Sequence, residues 1–298
     1  MRKKVYSASV TPLTEDGGLD VEGLGRIFDR NIRHGIDGIF IFGTMGEWQC
    51  FDAVFRDRMV AESVRAVAGR AELLVGITDV GTDAALNNMR RVAALDFGSY
   101  VFMLPKGGAD DPVREIGKVL DASDRPVYYY HCPANNGIEL SLDQFAAVMS
   151  HPRMKGIKNS AGNMWLRREL ILMKRDSGLK PMLLEGHEWA ADEALLAGYD
   201  GMLCGMGALG SKFMVGIARA VEAGDVTEAV RLQNRFIRLF HGVYGTDLST
   251  VWVGQKYALK CLGLCASEMT LTQPMEALTE TRKREIEACV AEFRHELD

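Results

Sequence analysis

The residue in this chain with the most reactive setting is a lysine at the end of a short apolar run. Residues 154–160 lie between two helix-like segments and predict a buried strand that ends near Lys158. Burial disfavours the charged form of a lysine and lowers its pKa. A neutral amine in a dry pocket can attack a ketone and form a Schiff base. The ordinary alternative stays open, in which Lys158 lies just past the strand in solvent.

Two hydroxyl side chains at other predicted strand ends could serve the same reaction. Tyr130 ends one predicted strand and Thr44 follows another. Schiff-base formation moves protons on and off a hydroxyl group that leaves as water, and a tyrosine can carry those protons while a threonine relays them. The backbone N–H groups of Gly43, Thr44 and Met45 could hold a carboxylate, because a tight glycine-containing turn presents its donors in one direction. Core packing for Tyr130 and a turn cap for Thr44 are the alternatives.

An alternation of strands and helices must position these residues. Apolar or β-rich runs predict eight strands, which begin near residues 5, 38, 73, 100, 126, 155, 181 and 200, each followed by a helical pattern. Strict alternation implies a parallel sheet with helices outside it. Eight units in about 200 residues predict an α/β fold of the (β/α)8 TIM-barrel type. After residue 209 only helical periodicity remains. We therefore predict a barrel domain over 1–220 and a C-terminal helical segment over 221–298 packed on it.

The carboxyl ends of the strands are where such a barrel places its active site. His131, Asn135 and Glu188 are predicted to lie at this edge and are candidates for contacts to a second substrate. A metal site is the alternative for His131 and His187 together with nearby glutamates. The chain has no H-x-H or H-E-x-x-H spacing, so we predict no metal site.

Composition excludes several classes of partner. The 298 residues are 47% hydrophobic and 25% charged, with a net charge of −5, which predicts no nucleic-acid or anionic-membrane partner. No apolar run approaches the length of a membrane span, and the run after the basic start is too short and polar for a signal peptide. We expect a cytoplasmic protein. The six cysteines include no C-x-x-C pair and are predicted to be buried reduced thiols.

A glycine-rich motif follows the eighth predicted strand. The segment from Gly205 to Gly210 fits G-x-G-x-x-G, which holds a pyrophosphate in dinucleotide-binding folds. Here no second βαβ half follows it, so we reject a dinucleotide site. A phosphate site is a minor alternative, since barrels often bind phosphate after the last strands.

Three ordered motifs resemble one known family. Gly43-Thr44-Met45-Gly46-Glu47 is similar to the GTTGE loop of the dihydrodipicolinate synthase/N-acetylneuraminate lyase family. The segment at 130–137 resembles its Y-N-x-P-x-x-x-G segment, and 156–162 resembles its G-I-K-[DE]-x-[ST]-G segment around the Schiff-base lysine. The resemblance covers essentially the whole chain.

The resemblance implies class I aldolase chemistry with no metal or organic cofactor, in a barrel that is usually a homotetramer built as a dimer of dimers. By motif position Lys158 is the Schiff-base lysine, Tyr130 the proton-transferring phenol and Thr44 the relay hydroxyl. The backbone at Met45 is expected to contact the carboxylate of a 2-oxo acid, usually pyruvate. The resemblance also places three glycines at the substrate site: Gly43, Gly186 and Gly205.

Departures from the motifs concern specificity. Dihydrodipicolinate synthases usually carry an arginine for the distal carboxylate where this chain has Asn135, and a tyrosine after the fourth strand that reaches a neighbouring subunit, where residues 104–108 hold none. Sialate lyases usually have G-x-D-E after strand seven and a serine after strand eight. Glu188 could replace that aspartate, Trp189 removes a polyol contact, and Gly205 occupies the serine position.

The retained groups predict a Schiff-base-forming lyase, an aldolase or dehydratase that acts on pyruvate or a related 2-oxo or sugar acid. The first alternative is 4-hydroxy-tetrahydrodipicolinate synthase itself, which the absent arginine disfavours. The second is a non-catalytic 2-oxo acid-binding barrel, which the joint presence of Lys158, Tyr130 and Thr44 disfavours because binding needs no nucleophile.

Overall fold

Eight parallel strands close into a barrel in chain order. The computed structural model describes residues 2–107 and 111–298. Each strand is followed by a helix, which confirms the predicted (β/α)8 barrel. The strands are β1 Lys4–Ala8, β2 Gly38–Ile41, β3 Glu72–Gly76, β4 Ser99–Phe102, β5 Val127–His131, β6 Met154–Asn159, β7 Met182–Glu185 and β8 Gly201–Cys204.

Helices surround the barrel and continue past it. They are α1 Val21–His34, α2 Ala53–Val67, α3 Thr82–Val92, α4 Pro112–Ala122, α5 Pro133–Asn136, α6 Leu142–Met149, α7 Met164–Asp176, α8 Ala191–Ala197, α9 Gly207–Ala223, α10 Val226–Tyr244, α11 Val251–Cys261, α12 Glu280–Glu292 and α13 Arg294–Leu297. Several helices begin at a residue whose side chain accepts from the first turn, as at α6, where Ser141 and Gln144 form a capping box. The single turn α5 was not predicted.

Strand alternation decides which side chains enter the barrel. On β5, Tyr128 and Tyr130 pack with the small cluster inside the barrel, whereas Tyr129 packs with the larger core between strands and helices. On β6, Lys158 pairs in register with Tyr130, and the neighbouring Ile157 belongs to the outer core. Since successive side chains on a strand point to opposite faces, Lys158 and Tyr130 share the barrel interior.

The amino-terminal ends of the strands are filled by a polar network. The hydroxyl of Tyr6 lies 3.1 Å from that of Tyr128 and donates to Glu72 at 3.3 Å. The ammonium of Lys155 donates to the same carboxylate at 2.7 Å. These large side chains fill one end of the barrel, and the chemistry of Lys158 is therefore confined to the other end.

The C-terminal helices pack on the barrel and reach its mouth. Helices α10 and α11 contact α9, and side chains of α11 bond to the loops that follow β2 and β8. The predicted boundary at residue 220 falls within the last turn of α9, and the division into two units stays a prediction. Gly108, in the segment without the expected tyrosine, lies outside the described residues.

Glycines of the G-x-G-x-x-G segment serve close packing. A Cβ at Gly207 would lie 2.6 Å from the backbone of Ser7, and one at Gly210 would lie 2.5 Å from the ring of Phe236. The N–H groups of Leu209 and Gly210 both donate to the carbonyl of Met206. Helix packing and this turn therefore account for the motif without a phosphate.

All six cysteines are outside disulfides, but their predicted burial is only partly correct. Cys132, Cys204 and Cys265 are buried, whereas Cys261 on α11 is exposed. Within residues 2–107 and 111–298, no helix has the length and apolar character needed to cross a membrane.

Candidate active site

The amine of Lys158 lies in an apolar, aromatic setting at the carboxyl end of β6. The side chain is 3% exposed, and Nζ lies 3.8 Å from the centroid of the Tyr130 ring and 5.3 Å from that of Phe40. Burial lowers the pKa of Lys158 to about 8, although Cys132 and Glu188 favour the charged form. About a tenth of the amine is therefore neutral at pH 7. This is the environment in which a lysine becomes a nucleophile.

The phenol of Tyr130 connects this amine to the loop after β2. Its oxygen lies 3.3 Å from Oγ1 of Thr44. Burial raises the pKa of Tyr130 well above its usual range, and the contact with Thr44 acts in the opposite direction. The phenol is therefore protonated near neutral pH and can give a proton to a group beside Lys158.

The loop that carries Thr44 is held in an unusual conformation. Phe42 and Glu47, at its two ends, both have a φ of 55°, which is uncommon for residues other than glycine. The N–H groups of Gly46 and Glu47 donate back to the carbonyls of Gly43 and Thr44. Among the described residues, the N–H groups of Thr44 and Met45 have no such acceptor. Two backbone donors are therefore available for an anion at this turn.

Three bare glycines bring the backbone close to the reactive groups. A Cβ at Gly43 would lie 2.5 Å from the ring of Phe40, and one at Gly205 would lie 3.0 Å from the side chain of Met45. A Cβ at Gly186 would lie 3.2 Å from Cε of Lys158 and only 2.0 Å from Oγ of Ser160. Close approach, rather than a positive φ, therefore requires glycine at 186.

Gly186→Ala is expected to lower kcat/KM about 10- to 100-fold, because the added methyl group must displace Ser160 and the end of the Lys158 side chain. Gly117→Ala is the matched control, since a Cβ there has no neighbour within 4 Å inside α4 and should stabilise the helix by up to about 1 kcal/mol. Steady-state kinetics of the two variants test this. Equal activity of both variants would contradict a crowded position at 186.

A carboxylate faces the same region from the loop after β7. Glu188 is 7% exposed, and its Oε1 accepts a hydrogen bond from the N–H of Met206 at 2.8 Å. A Cβ at Gly205 would lie 3.1 Å from the same oxygen. Glu188 therefore lies among the predicted site residues and is anchored by one of its oxygens.

Comparison with known proteins identifies the family. A sequence model described as the Dihydrodipicolinate synthetase family matches residues 1–293. The chain belongs to this family. The 4-hydroxy-tetrahydrodipicolinate synthase of Gluconacetobacter diazotrophicus is 27% identical over 290 residues, which cover 96% of this chain and 95% of that relative.

Solved structures share the fold of this family member. The dihydrodipicolinate synthase of Acinetobacter baumannii, complexed with pyruvate, matches with a TM-score of 0.86 and 21% identity over 98% of both chains. CdNal of Clostridium difficile, in complex with mannosamine, matches with a TM-score of 0.88 and 20% identity over 98% of this chain and 99% of that one. The chain is thus a dihydrodipicolinate synthetase family lyase of the class I aldolase type.

The position where family synthases usually carry an arginine is used differently in this family member. Nδ2 of Asn135 donates a hydrogen bond to Oγ1 of Thr44 at 2.7 Å. Asn135 lies on the single turn α5, directly after β5, and is half-buried. Asn135 therefore joins the predicted relay through Thr44.

His131 does not reach the mouth, which corrects its prediction as a substrate contact. It is fully buried on the outer side of β5, and its ring packs against Phe145 with centroids 5.0 Å apart. Burial lowers the pKa of His131 to about 4, and neither ring nitrogen has a hydrogen-bond partner among the described residues. Strand alternation is the reason, since the adjacent Tyr130 points into the barrel.

Trp189 contacts the C-terminal helix α10. Its indole N–H donates to His241 at 3.4 Å, and its ring packs on Phe240 with centroids 4.8 Å apart. In the loop after β7, Glu188 thus lies at the candidate site, and Trp189 attaches the loop to α10.

Sequence reasoning missed several residues at this site. Ser160 is 7% exposed and its Oγ has no hydrogen-bond partner among the described residues. It follows Lys158 by two positions, so strand alternation could have indicated it. Helix α11 contributes Trp252, which donates to the carbonyl of Thr44 at 3.0 Å, and Gln255, which donates to that of Gly205 at 3.4 Å. No local signal marks these long-range contacts.

Metal ligands are not grouped in the part of the chain that the structure describes, where no set of three or more histidine, cysteine, aspartate or glutamate side chains could hold an ion.

Proposed function

We propose that this family member is a Schiff-base-forming aldolase or dehydratase that acts on pyruvate or a related 2-oxo or sugar acid. The observation that carries the proposal is the placement of a buried amine with a lowered pKa against the ring of a tyrosine whose hydroxyl contacts Thr44. The proposed catalytic residues are Lys158, Tyr130 and Thr44.

In the proposed reaction, neutral Nζ of Lys158 attacks the C2 carbonyl and one of its protons passes to the carbonyl oxygen, which forms a carbinolamine. Tyr130 gives its proton to that hydroxyl group, which leaves as water, and the nitrogen becomes a protonated imine beside the Tyr130 phenolate. The phenolate then takes a proton from C3, or takes the proton of a C4 hydroxyl group as the C3–C4 bond breaks toward the imine and releases an aldehyde. Both routes give an enamine and restore the phenol, and Thr44, as the relay hydroxyl, donates its hydrogen bond to the phenolate between these steps.

Recognition of the substrate uses the remaining proposed site residues. The N–H groups of Thr44 and Met45 bind the carboxylate beside the ketone. The proposed substrate site also includes Gly43, Gly186 and Gly205, where the absence of a Cβ lets the backbone approach Phe40, Lys158 and Met45 closely. Glu188 accepts hydrogen bonds from hydroxyl groups farther along the substrate.

The proposal includes a cytoplasmic location and a homotetramer built as a dimer of dimers. Sedimentation tests the tetramer, and a monomer, the state described for one dihydrodipicolinate synthase variant among the structural neighbours, would contradict it.

Borohydride reduction in the presence of pyruvate is expected to trap a covalent adduct on Lys158, detected by intact mass and peptide mapping. Because burial lowers the pKa of Lys158 to about 8, the trapping rate should rise about tenfold per pH unit below pH 8 and level off above it. An adduct only with longer 2-oxo acids would favour a dehydratase. No adduct with any 2-oxo acid, together with reversible binding by calorimetry, would favour a binding protein.

A second candidate is the 4-hydroxy-tetrahydrodipicolinate synthase reaction, which the names of the relatives favour. A coupled assay with pyruvate and aspartate semialdehyde separates it from the main proposal. Asn135 in place of the usual arginine favours turnover of a substrate without a distal carboxylate.

A further inference from the structure

A chain of three hydrogen-bonding side chains leads from the edge of the mouth to the reactive phenol. Nδ2 of Asn135 donates to Oγ1 of Thr44 at 2.7 Å, and that oxygen lies 3.3 Å from the phenol oxygen of Tyr130. We infer that Asn135 is a positioning residue that sets the direction of proton transfer along this chain. The inference rests on the proposed function.

The direction follows from the chemistry of the groups. An amide NH2 can only donate, and a threonine hydroxyl has one proton to give. Among the described residues, Oγ1 of Thr44 lies within hydrogen-bond distance of Asn135 and Tyr130 alone, and since the amide of Asn135 donates, the acceptor left for the Thr44 proton is the phenol oxygen of Tyr130. Tyr130 then keeps its proton for the oxygen of the substrate that must leave as water.

Local structure holds the amide in place. Helix α5 is a single turn closed by Gly137, whose φ is 76° and whose N–H donates to Pro133 at 2.7 Å. The N–H of Asn135 donates to the carbonyl of Cys132 at 2.9 Å, and the next residue, Asn136, donates from its side chain to Leu104 at 2.9 Å. The side chain of Asn135 is therefore positioned by a turn that is hydrogen-bonded to the segment after β4.

Thr44 is fixed from its other side. Its carbonyl accepts from the indole of Trp252 at 3.0 Å and from the N–H of Glu47 at 3.2 Å. Because the backbone of Thr44 is held, its hydroxyl proton can still rotate about the C–O bond. The N–H donor of Asn135 determines the direction in which that proton points. An acceptor at position 135 would turn that proton away from Tyr130.

Asn135→Asp and Asn135→Ala test the inference through the rate of borohydride-trapped adduct formation at saturating pyruvate. The carboxylate introduced by Asn135→Asp can only accept, so the hydroxyl of Thr44 donates to it. Tyr130 then donates its proton to Thr44 and no longer to the substrate. We expect about a 100-fold loss of rate for Asn135→Asp and about a 10-fold loss for Asn135→Ala at pH 8, with the half-saturating pyruvate concentration changed less than threefold. Asn87→Asp, at an exposed position of α3, makes the same charge change and should match the wild type.

The pH dependence separates direction from packing. Protonation of the introduced carboxyl restores a donor, so the rate of Asn135→Asp relative to the wild type should rise as the pH falls below 6. The relative rate of Asn135→Ala should not change with pH. Equal losses for both variants at every pH, or wild-type rates in both, overturn the inference alone. A wild type that forms no adduct overturns the proposed function and the inference with it.

Discussion

Lys158→Met should abolish the borohydride-trapped adduct and lower kcat/KM by at least about 10^4-fold, while it makes the protein more stable. The thioether fills the space of the aliphatic stem but has no nucleophile. The stability gain follows from burial, which lowers the pKa of Lys158 from 10.5 to about 8 and so makes the charged form costly in the folded state. That cost, up to about 3 kcal/mol, is removed by methionine at pH 7.

The pH dependence of this gain has a definite sign. Below about pH 8 the folded protein carries the charged amine, so the full advantage of Lys158→Met is present. Between about pH 8 and 10.5 the folded wild type loses its proton before the unfolded chain does, and the advantage disappears. Urea denaturation at pH 7 and pH 10 measures it. Lys180→Met, on the exposed surface, is the control and should change neither activity nor stability by much.

An active Lys158→Met variant would remove the Schiff-base mechanism. An inactive variant that is destabilised at pH 7 would instead mean that the amine is not desolvated, and that its chemistry needs another source of activation than burial. These outcomes separate the role of Lys158 as a nucleophile from its electrostatic environment.

Local patterns in the sequence were sufficient to predict the barrel, and they also placed the candidate reactive groups at one end of it. Each strand was visible as a short apolar run between helical patterns, and the order of the runs determined a parallel sheet. The prediction that Lys158, Tyr130 and Thr44 are the reactive groups rests on their places at or just after the ends of such runs, where barrels concentrate polar side chains. The register that pairs Tyr130 with Lys158 then follows from the two neighbouring strands.

The prediction for His131 used only its place at the end of a strand, which was not sufficient. Its place at a strand end suggested a substrate contact, but strand alternation sends neighbouring side chains to opposite faces. If Tyr130 points inward, His131 points outward, as the packing on Phe145 demonstrates. The same rule applied forward from Lys158 would have added Ser160. Strand alternation predicts which side chains enter the barrel more reliably than closeness to the end of a strand does.

Contacts from α11 could not be predicted, because they join residues far apart in the chain. Trp252 reaches Thr44 across 208 positions, and Lys256 reaches Glu47 across 209. Helical periodicity indicated that α11 has buried positions but not what they meet. Its polar side chains are nevertheless what fixes the loop after β2.

Glu47 and Lys256 form an ion pair with both side chains fully buried. Lys256 also donates to the carbonyl of Met269 at 2.7 Å. The other oxygen of Glu47 accepts from Thr270, from the N–H of Leu271 at 2.6 Å and from the N–H of Thr272 at 2.9 Å. Burial alone would raise the pKa of Glu47. Lys256 and the hydrogen-bond donors nevertheless hold this pKa below its usual range. The pair thus ties the strained end of the Thr44 loop to the C-terminal segment.

Lys256→Met is therefore expected to cost about 3–5 kcal/mol of unfolding free energy, because it leaves the carboxylate of Glu47 buried without its cation. Since the loop is then released, the half-saturating pyruvate concentration should rise as well. The double variant Glu47→Gln with Lys256→Met removes both charges and should recover most of the stability. Lys260→Met is the control one turn along α11, where the pair with Glu268 is partly exposed and should contribute at most about 1 kcal/mol.

Urea denaturation and adduct trapping on the wild type and these three variants measure the loss of stability and the change in half-saturating pyruvate concentration. If Lys256→Met costs no more than Lys260→Met, or if the double variant is as unstable as the single one, the ion pair does not fasten the loop, and the conformation of Glu47 must depend on its backbone contacts.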